Sequence, residues 1–194
     1  SAPPTAGSDR DAPLSRRHLL AGVAVAGIGA VAGCAGDESA SISPVSLDGE
    51  RACDQCGMIV SDHPSTVGQI HFEDDEPEGG RPAQFCSGTC TYTYLFGAED
   101  EGRTALATFL TDYSLVDQAV FEEGDDTMFS SHVESEAFSR TTELTVVARS
   151  EVIGAMGPGL IPFSEGDDVE SFVEEYGGES MPAEDVDRGT LEAV

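Results

Sequence analysis

The sequence predicts a mixed α+β body carried behind an export signal and a flexible tether. Three observations lead there. An uncharged, Ala/Gly/Val-rich run over residues 21–33 follows a pair of arginines, β-type apolar segments recur between residues 66 and 153, and residues 167–176 carry apolar positions at helical spacing.

The elements follow in order. Ser15-Arg16-Arg17-His18-Leu19-Leu20 precedes Ala21 to Gly33, an apolar stretch too short to span a bilayer comfortably. Charge, then a short apolar run, then small residues is the order of an export signal, and the arginine pair points to the twin-arginine route, so residues 1–33 are expected to be removed. Ala30-Val31-Ala32-Gly33-Cys34 has the small residues of a lipobox, with Cys34 the expected site of lipid attachment. The expected address is the extracytoplasmic face of the cell membrane. An acidic body gains nothing from anionic headgroups, so the anchor must be the lipid. Residues 34–49, with Ser39, Ser41, Ser43, Pro44 and Ser46, read as a flexible tether.

Within the body, Thr66 to Phe72 and Pro82 to Phe85 read as strands around an acidic loop over residues 73–80. Thr91 to Phe96 opens a helix, Thr104 to Leu110 and Ser114 to Val120 read as short strands or a helix and a strand, and residues 142–153 are β-rich. Val169, Phe172, Val173 and Tyr176 give residues 167–176 one apolar helical face, stopped by Gly177-Gly178. From Glu179 the chain turns acidic without a clear pattern, and residues 181–194 read as a loose acidic tail.

Charge excludes one class of partner. Nine basic residues, all arginine, face 37 acidic ones for a net charge of −28, and such a surface repels a phosphate backbone, so no nucleic acid is expected. The same bias fits an organism of concentrated salt, where self-repulsion is screened. No phosphate loop, Ser/His/Asp set or paired-carboxylate signature stands out, so the chain is not expected to be an enzyme.

The chemistry lies in sulfur. Cys53-Asp54-Gln55-Cys56-Gly57-Met58 and Phe85-Cys86-Ser87-Gly88-Thr89-Cys90 hold two close cysteine pairs, and pairs two or three residues apart can each aim both sulfurs at one point. Four thiolates around Zn2+, two disulfides, and a Cu(I) site using the added thioether of Met58 all fit the count. In an extended strand Cys56 and Met58 would share a face, and thioether beside thiolate suits Cu(I). His63, in a turn before Pro64, and His71, in an alternating strand, are weaker donors.

These residues resemble the NosL family, the lipoproteins associated with nitrous oxide reductase maturation. The resemblance rests on residues 53–60, Cys-Asp-Gln-Cys-Gly-Met-Ile-Val, on residues 154–163, Gly-Ala-Met-Gly-Pro-Gly-Leu-Ile-Pro-Phe, and on Phe172 to Gly178, behind the lipobox. It implies a NosL-like metal-binding domain over residues 50–180, built from two similar ββαβ units. It implies a Cu(I) chaperone that delivers copper to a recipient protein, such as nitrous oxide reductase with its maturation machinery. Cys56 and Met58 match the family's copper motif, Met156 falls in its Met-Gly-x-Gly segment, and Cys53, Cys86 and Cys90 are the further candidate ligands. The second cysteine pair departs from the family pattern and is similar to the end of a TRASH-type metal-sensing module. That keeps two alternatives open: a structural or sensory zinc protein with four cysteine ligands, and a thiol–disulfide oxidoreductase using Cys53 and Cys56.

Overall fold

A computed structural model describes residues 42–194 except residues 75, 76, 78 and 118. The expected signal over 1–33 and the expected lipid-attachment residue Cys34 lie outside the described residues. In chain order the elements are β1 (Gly68–Phe72), β2 (Ala83–Phe85), α1 (Gly88–Asp100), β3 (Ala105–Thr111), β4 (Val120–Glu123), β5 (Asp126–Phe129), β6 (Phe138–Arg140), β7 (Thr145–Ala148), β8 (Ile153–Gly154), β9 (Gly157–Pro158), β10 (Ile161–Phe163), α2 (Gly166–Tyr176), β11 (Glu179–Pro182) and α3 (Arg188–Glu192).

The expected duplication is visible in the topology. β1-β2-α1-β3 and β7-β10-α2-β11 are each a ββαβ unit whose first strand is central, with antiparallel partners on either side, in the orders β2-β1-β3 and β10-β7-β11. β6 extends the first sheet beside β3, and β4-β5-β8-β9 form a small third sheet. Among the described residues no helix is long and apolar enough to cross a membrane.

Helix α1 holds the two units together. It carries no charge from Gly88 to Ala98, as suits a helix covered on more than one side. Cys90, Tyr94, Leu95 and Ala98 belong to a core with Ile70, Phe85 and Phe109, while Tyr92, Leu95 and Phe96 join a second core with Leu110, Val146 and Leu160. Complete burial of a side chain such as Leu110 is worth about 2–3 kcal/mol. Gly68 permits the helix its approach to β1, since a Cβ there would lie 2.1 Å from Thr91 Oγ1.

Three expectations change. Among the described residues from 114 to 119 there is no strand, because the fully buried Asp112 turns the chain after β3: its carboxylate accepts from the N–H groups of Ser114 and Ser164, both at 3.0 Å, and from Ser139 Oγ at 2.7 Å. Residues 181–194 are not a loose tail. Ala183 and Val186 are buried, Tyr92 Oη donates to the Ala183 carbonyl at 2.7 Å, and α3 starts at a reciprocal cap between Asp187 and Thr190. Of the expected tether, residues 42–49 run along the body: Leu47 is buried, its N–H donates to the Val133 carbonyl, and Gln69 exchanges two hydrogen bonds with the Val45 backbone.

Arginine is scarce, and each one among the described residues is engaged. Among the described residues, Arg81, Arg103, Arg149 and Arg188 pair with Asp54, Asp74, Glu179 and Asp100, while Arg51 and Arg140 donate to the carbonyls of Asp48 and Ile42.

Candidate metal centre

The first cysteine pair sits in a tight knuckle before β1. An antiparallel bridge between Ala52 and Ile59 closes its base, Cys53 N–H donates to the Met58 carbonyl at 2.7 Å, and Gly57 N–H donates to the Cys53 carbonyl at 2.8 Å. Gly57 has φ of +80°, a conformation that costs a side-chain-bearing residue strain, so this glycine makes the turn possible. The extended geometry expected for Cys56 and Met58 is thereby corrected: Cys56 belongs to the turn over residues 54–56, and Met58 lies on the returning side, opposite Cys53. Met58 is partly buried and packs against the core cluster that contains Cys53, Cys86 and Cys90.

The second pair comes from the other end of the hairpin. Cys86 follows β2, and Ser87 caps α1 by accepting the N–H of Cys90 at 3.0 Å, which places Cys90 in the first helical turn. Strand pairing of β1 with β2 returns the chain to the knuckle, so two pairs separated by residues 57–85 meet. All four sulfurs lie within 4.8 Å of one another. Cys53, Cys86 and Cys90 are buried, and Cys56 is exposed.

The knuckle is clamped to β2. Asp54 N–H donates to the Gln84 carbonyl at 2.9 Å, Gln84 N–H donates back to Asp54 Oδ2 at 2.8 Å, and Gln84 Nε2 donates to the Ala52 carbonyl at 3.0 Å. Arg81 grips both oxygens of Asp54, at 2.7 and 2.8 Å. No pattern in the sequence signalled this clamp, because its partners are 27 to 32 residues apart. The Ser87 cap was detectable, as a serine three residues before Cys90 at the head of a helical stretch.

The sulfurs perturb one another strongly. S–H donors on Cys86 and Cys90 hold the Cys53 thiol below its ordinary value. Sharing a proton with Cys53 pushes Cys86 far up and Cys90 up to about 12, and burial adds to both. One thiolate solvated by neighbouring thiols is a site primed for a cation that displaces the remaining protons. A tetrahedron of metal–sulfur bonds of about 2.3 Å has sulfur–sulfur edges of about 3.8 Å, which this cluster can meet with small adjustments.

Met156 is 57% exposed and, with Gly157 and Pro158, lines a cavity of about 110 Å³ that Thr89 and Cys90 also line. His63 and His71 are outside the sulfur cluster among the described residues. His71 lies on β1 with its ring edge against Phe109, and burial, reinforced by the charge of Arg140, lowers its affinity for a proton.

The NosL family profile matches residues 44–191. The chain belongs to the NosL family. Its fold agrees with the crystal structure of the copper chaperone NosL from Shewanella denitrificans at a TM-score of 0.58 and 21% identity, covering 74% of this chain and 95% of that one. The solution structure of apo-NosL from Achromobacter cycloclastes is also similar, at 19% identity and a TM-score of 0.35 over 64% of this chain and 87% of that one. No curated protein matches. The sulfur cluster of this NosL-family chain therefore sits in the first of its two ββαβ units. The equivalent connection from β10 to α2 carries Ser164 and Asp168 where the first unit has Cys86 and Cys90, so the second unit has no cysteine at these positions.

Proposed function

We propose that this NosL-family protein is a Cu(I) carrier, anchored through a lipid on Cys34 outside the cytoplasmic membrane, that hands copper to a recipient enzyme such as nitrous oxide reductase. The observation that carries the reading is the convergence of four cysteine sulfurs within 4.8 Å, three buried and one exposed. Buried thiolates retain a soft ion, while Cys56 at the surface offers an incoming ligand a sulfur it can replace. Met58 packs against the hydrophobic core that contains Cys53, Cys86 and Cys90, and the exposed Met156 lines a cavity together with Cys90, so two neutral thioethers lie within the same region for weak, exchangeable contacts. The chemistry is ligand exchange rather than catalysis, and the copper chaperone named among its structural neighbours supports the reading.

Zn2+ is the second reading, favoured by the closed set of four thiols at tetrahedral dimensions. Anaerobic competition of the reduced protein against a Cu(I)-specific chelator separates the two. Copper carriage requires retention of Cu(I) that Met58→Ala weakens and Cys56→Ser largely removes. A zinc protein would take up zinc and be indifferent to Met58→Ala. Loss of Cu(I) to a weak chelator overturns the copper reading. The anchor is tested separately: Cys34→Ser should move the protein from the membrane to the soluble fraction.

A further inference from the structure

The two cysteine pairs also meet each other at contact distance. Cys56 Sγ and Cys86 Sγ are 3.4 Å apart, across the gap between knuckle and helix turn. Cys56 is exposed, whereas Cys86 is 2% exposed. An accessible thiol in contact with a buried one is the arrangement of an attacking and a resolving cysteine. The backbone supports closure: the knuckle is locked to β2 by Asp54, Gln84 and Arg81, so the two sulfurs need only approach from 3.4 Å to a bonded separation of about 2.05 Å.

We propose that Cys56 and Cys86 form a reversible disulfide that empties the metal centre, making it a redox-gated site. The oxidant is a disulfide, either a small molecule or a protein. The Cys56 thiolate attacks one sulfur of that disulfide, forming a mixed disulfide and releasing the first thiolate. The Cys86 sulfur, giving up its proton to the departing thiolate, then attacks Cys56 Sγ and displaces the second. Two protein thiols become one disulfide, the incoming disulfide becomes two thiols, and the two protons lost by Cys56 and Cys86 end on those thiols. Two of the four sulfurs are removed as thiolate ligands, one from each pair, so neither pair remains intact to hold the ion. Bond formation within Cys53 and Cys56, or within Cys86 and Cys90, would instead spare one complete pair.

The effect on cargo rests on the four sulfurs being a metal site; the disulfide itself does not. The test treats the reduced, metal-free chain anaerobically with glutathione disulfide, alkylates remaining thiols and maps cross-linked peptides by mass spectrometry. The expected product links Cys56 to Cys86, leaves Cys53 and Cys90 alkylated, and releases two glutathione thiols per chain. Cys86→Ser should stop at a glutathione adduct on Cys56. In a second arm, protein loaded with Cu(I), or with Zn2+, loses the ion to a weak chelator only after oxidation and regains binding with dithiothreitol. A link confined to Cys53 and Cys56 or to Cys86 and Cys90, or four unchanged thiols, overturns the proposal. A Cys56 to Cys86 link in a protein that binds neither ion overturns the carrier reading and leaves the disulfide standing.

Discussion

Asp54 and Arg81 form a two-pronged ion pair, with Nη2 to Oδ1 at 2.7 Å and Nη1 to Oδ2 at 2.8 Å, that ties the turn between Cys53 and Cys56 to the entry of β2. Because Cys86 lies just beyond β2, the pair sets the spacing between the two halves of the sulfur cluster. The Asp54 side chain is 17% exposed and that of Arg81 39%, so solvent screens part of the attraction and its main contribution is orientation.

Arg81→Met should therefore lower metal affinity about 10-fold, the lower end of what loss of an orienting partner costs a metal site, with little change in folding. Chelator competition measures the first and circular dichroism the second. An unchanged affinity would show that the knuckle positions its sulfurs without the ion pair.

Metal affinity should fall as pH is lowered. Cys86 and Cys90 are held above the ordinary thiol value and are protonated near neutrality, so a metal using both displaces both protons. The plot of log affinity against pH should rise with a slope greater than one proton per metal ion over pH 6 to 8, roughly the range below ordinary thiol ionisation. Competition titrations at several pH values in constant high salt give that slope, and a flat line would contradict it.

At alkaline pH the fold should weaken. Burial holds the phenols of Tyr113 and Tyr92 above their ordinary value of 10.0, with Glu184 adding to the effect on Tyr92. Below pH 10.0 both are protonated, folded or unfolded. Above it the unfolded chain loses protons that the folded chain keeps, so stability declines as pH rises. Denaturant midpoints of the wild type and of Tyr113→Phe should converge as the pH is raised past this point, because the variant lacks one of the two linked protons.

Asp112→Ala should be the most damaging of these substitutions. It leaves the N–H groups of Ser114 and Ser164 and the hydroxyl of Ser139 without their buried acceptor, at a cost of about 3 kcal/mol or more. A shift in the urea midpoint at constant slope measures it.

Salt should raise stability. With a net charge of −28 and every arginine in the described body already bonded to a carboxylate or carbonyl, few basic groups are left to offset repulsion among the carboxylates. Raising ionic strength shortens the screening length from about 10 Å at 0.1 M to about 3 Å at 1 M. The thermal midpoint should climb with sodium chloride across this range; a decline would show that the four ion pairs outweigh the repulsion.

The local sequence was sufficient for whatever depends on neighbouring residues. Period and punctuation marked β1, β2 and α2 closely, because apolar alternation, helical spacing and Gly177-Gly178 act over a few residues. The spacing of Cys53, Cys56, Cys86 and Cys90 named a four-sulfur cluster that the fold assembles. The acidic C-terminal segment misled, since Ala183 and Val186 are too sparse to register as a pattern, yet each fills a gap beside α1.

Composition and order along the chain by themselves determined the acidic character, the α+β class and the two close cysteine pairs. Only the tertiary structure decided which sulfur faces solvent, that Cys56 meets Cys86 across the pairs, that Met58 follows a reversal rather than continuing a strand, and that Met156 shares a cavity with Cys90. The physical reason is distance. Residue types and short spacings are properties of contiguous sequence, whereas the approach of one cysteine pair to the other is set by the pairing of β1 with β2 and by the Asp54–Arg81 ion pair, which join residues the chain keeps apart.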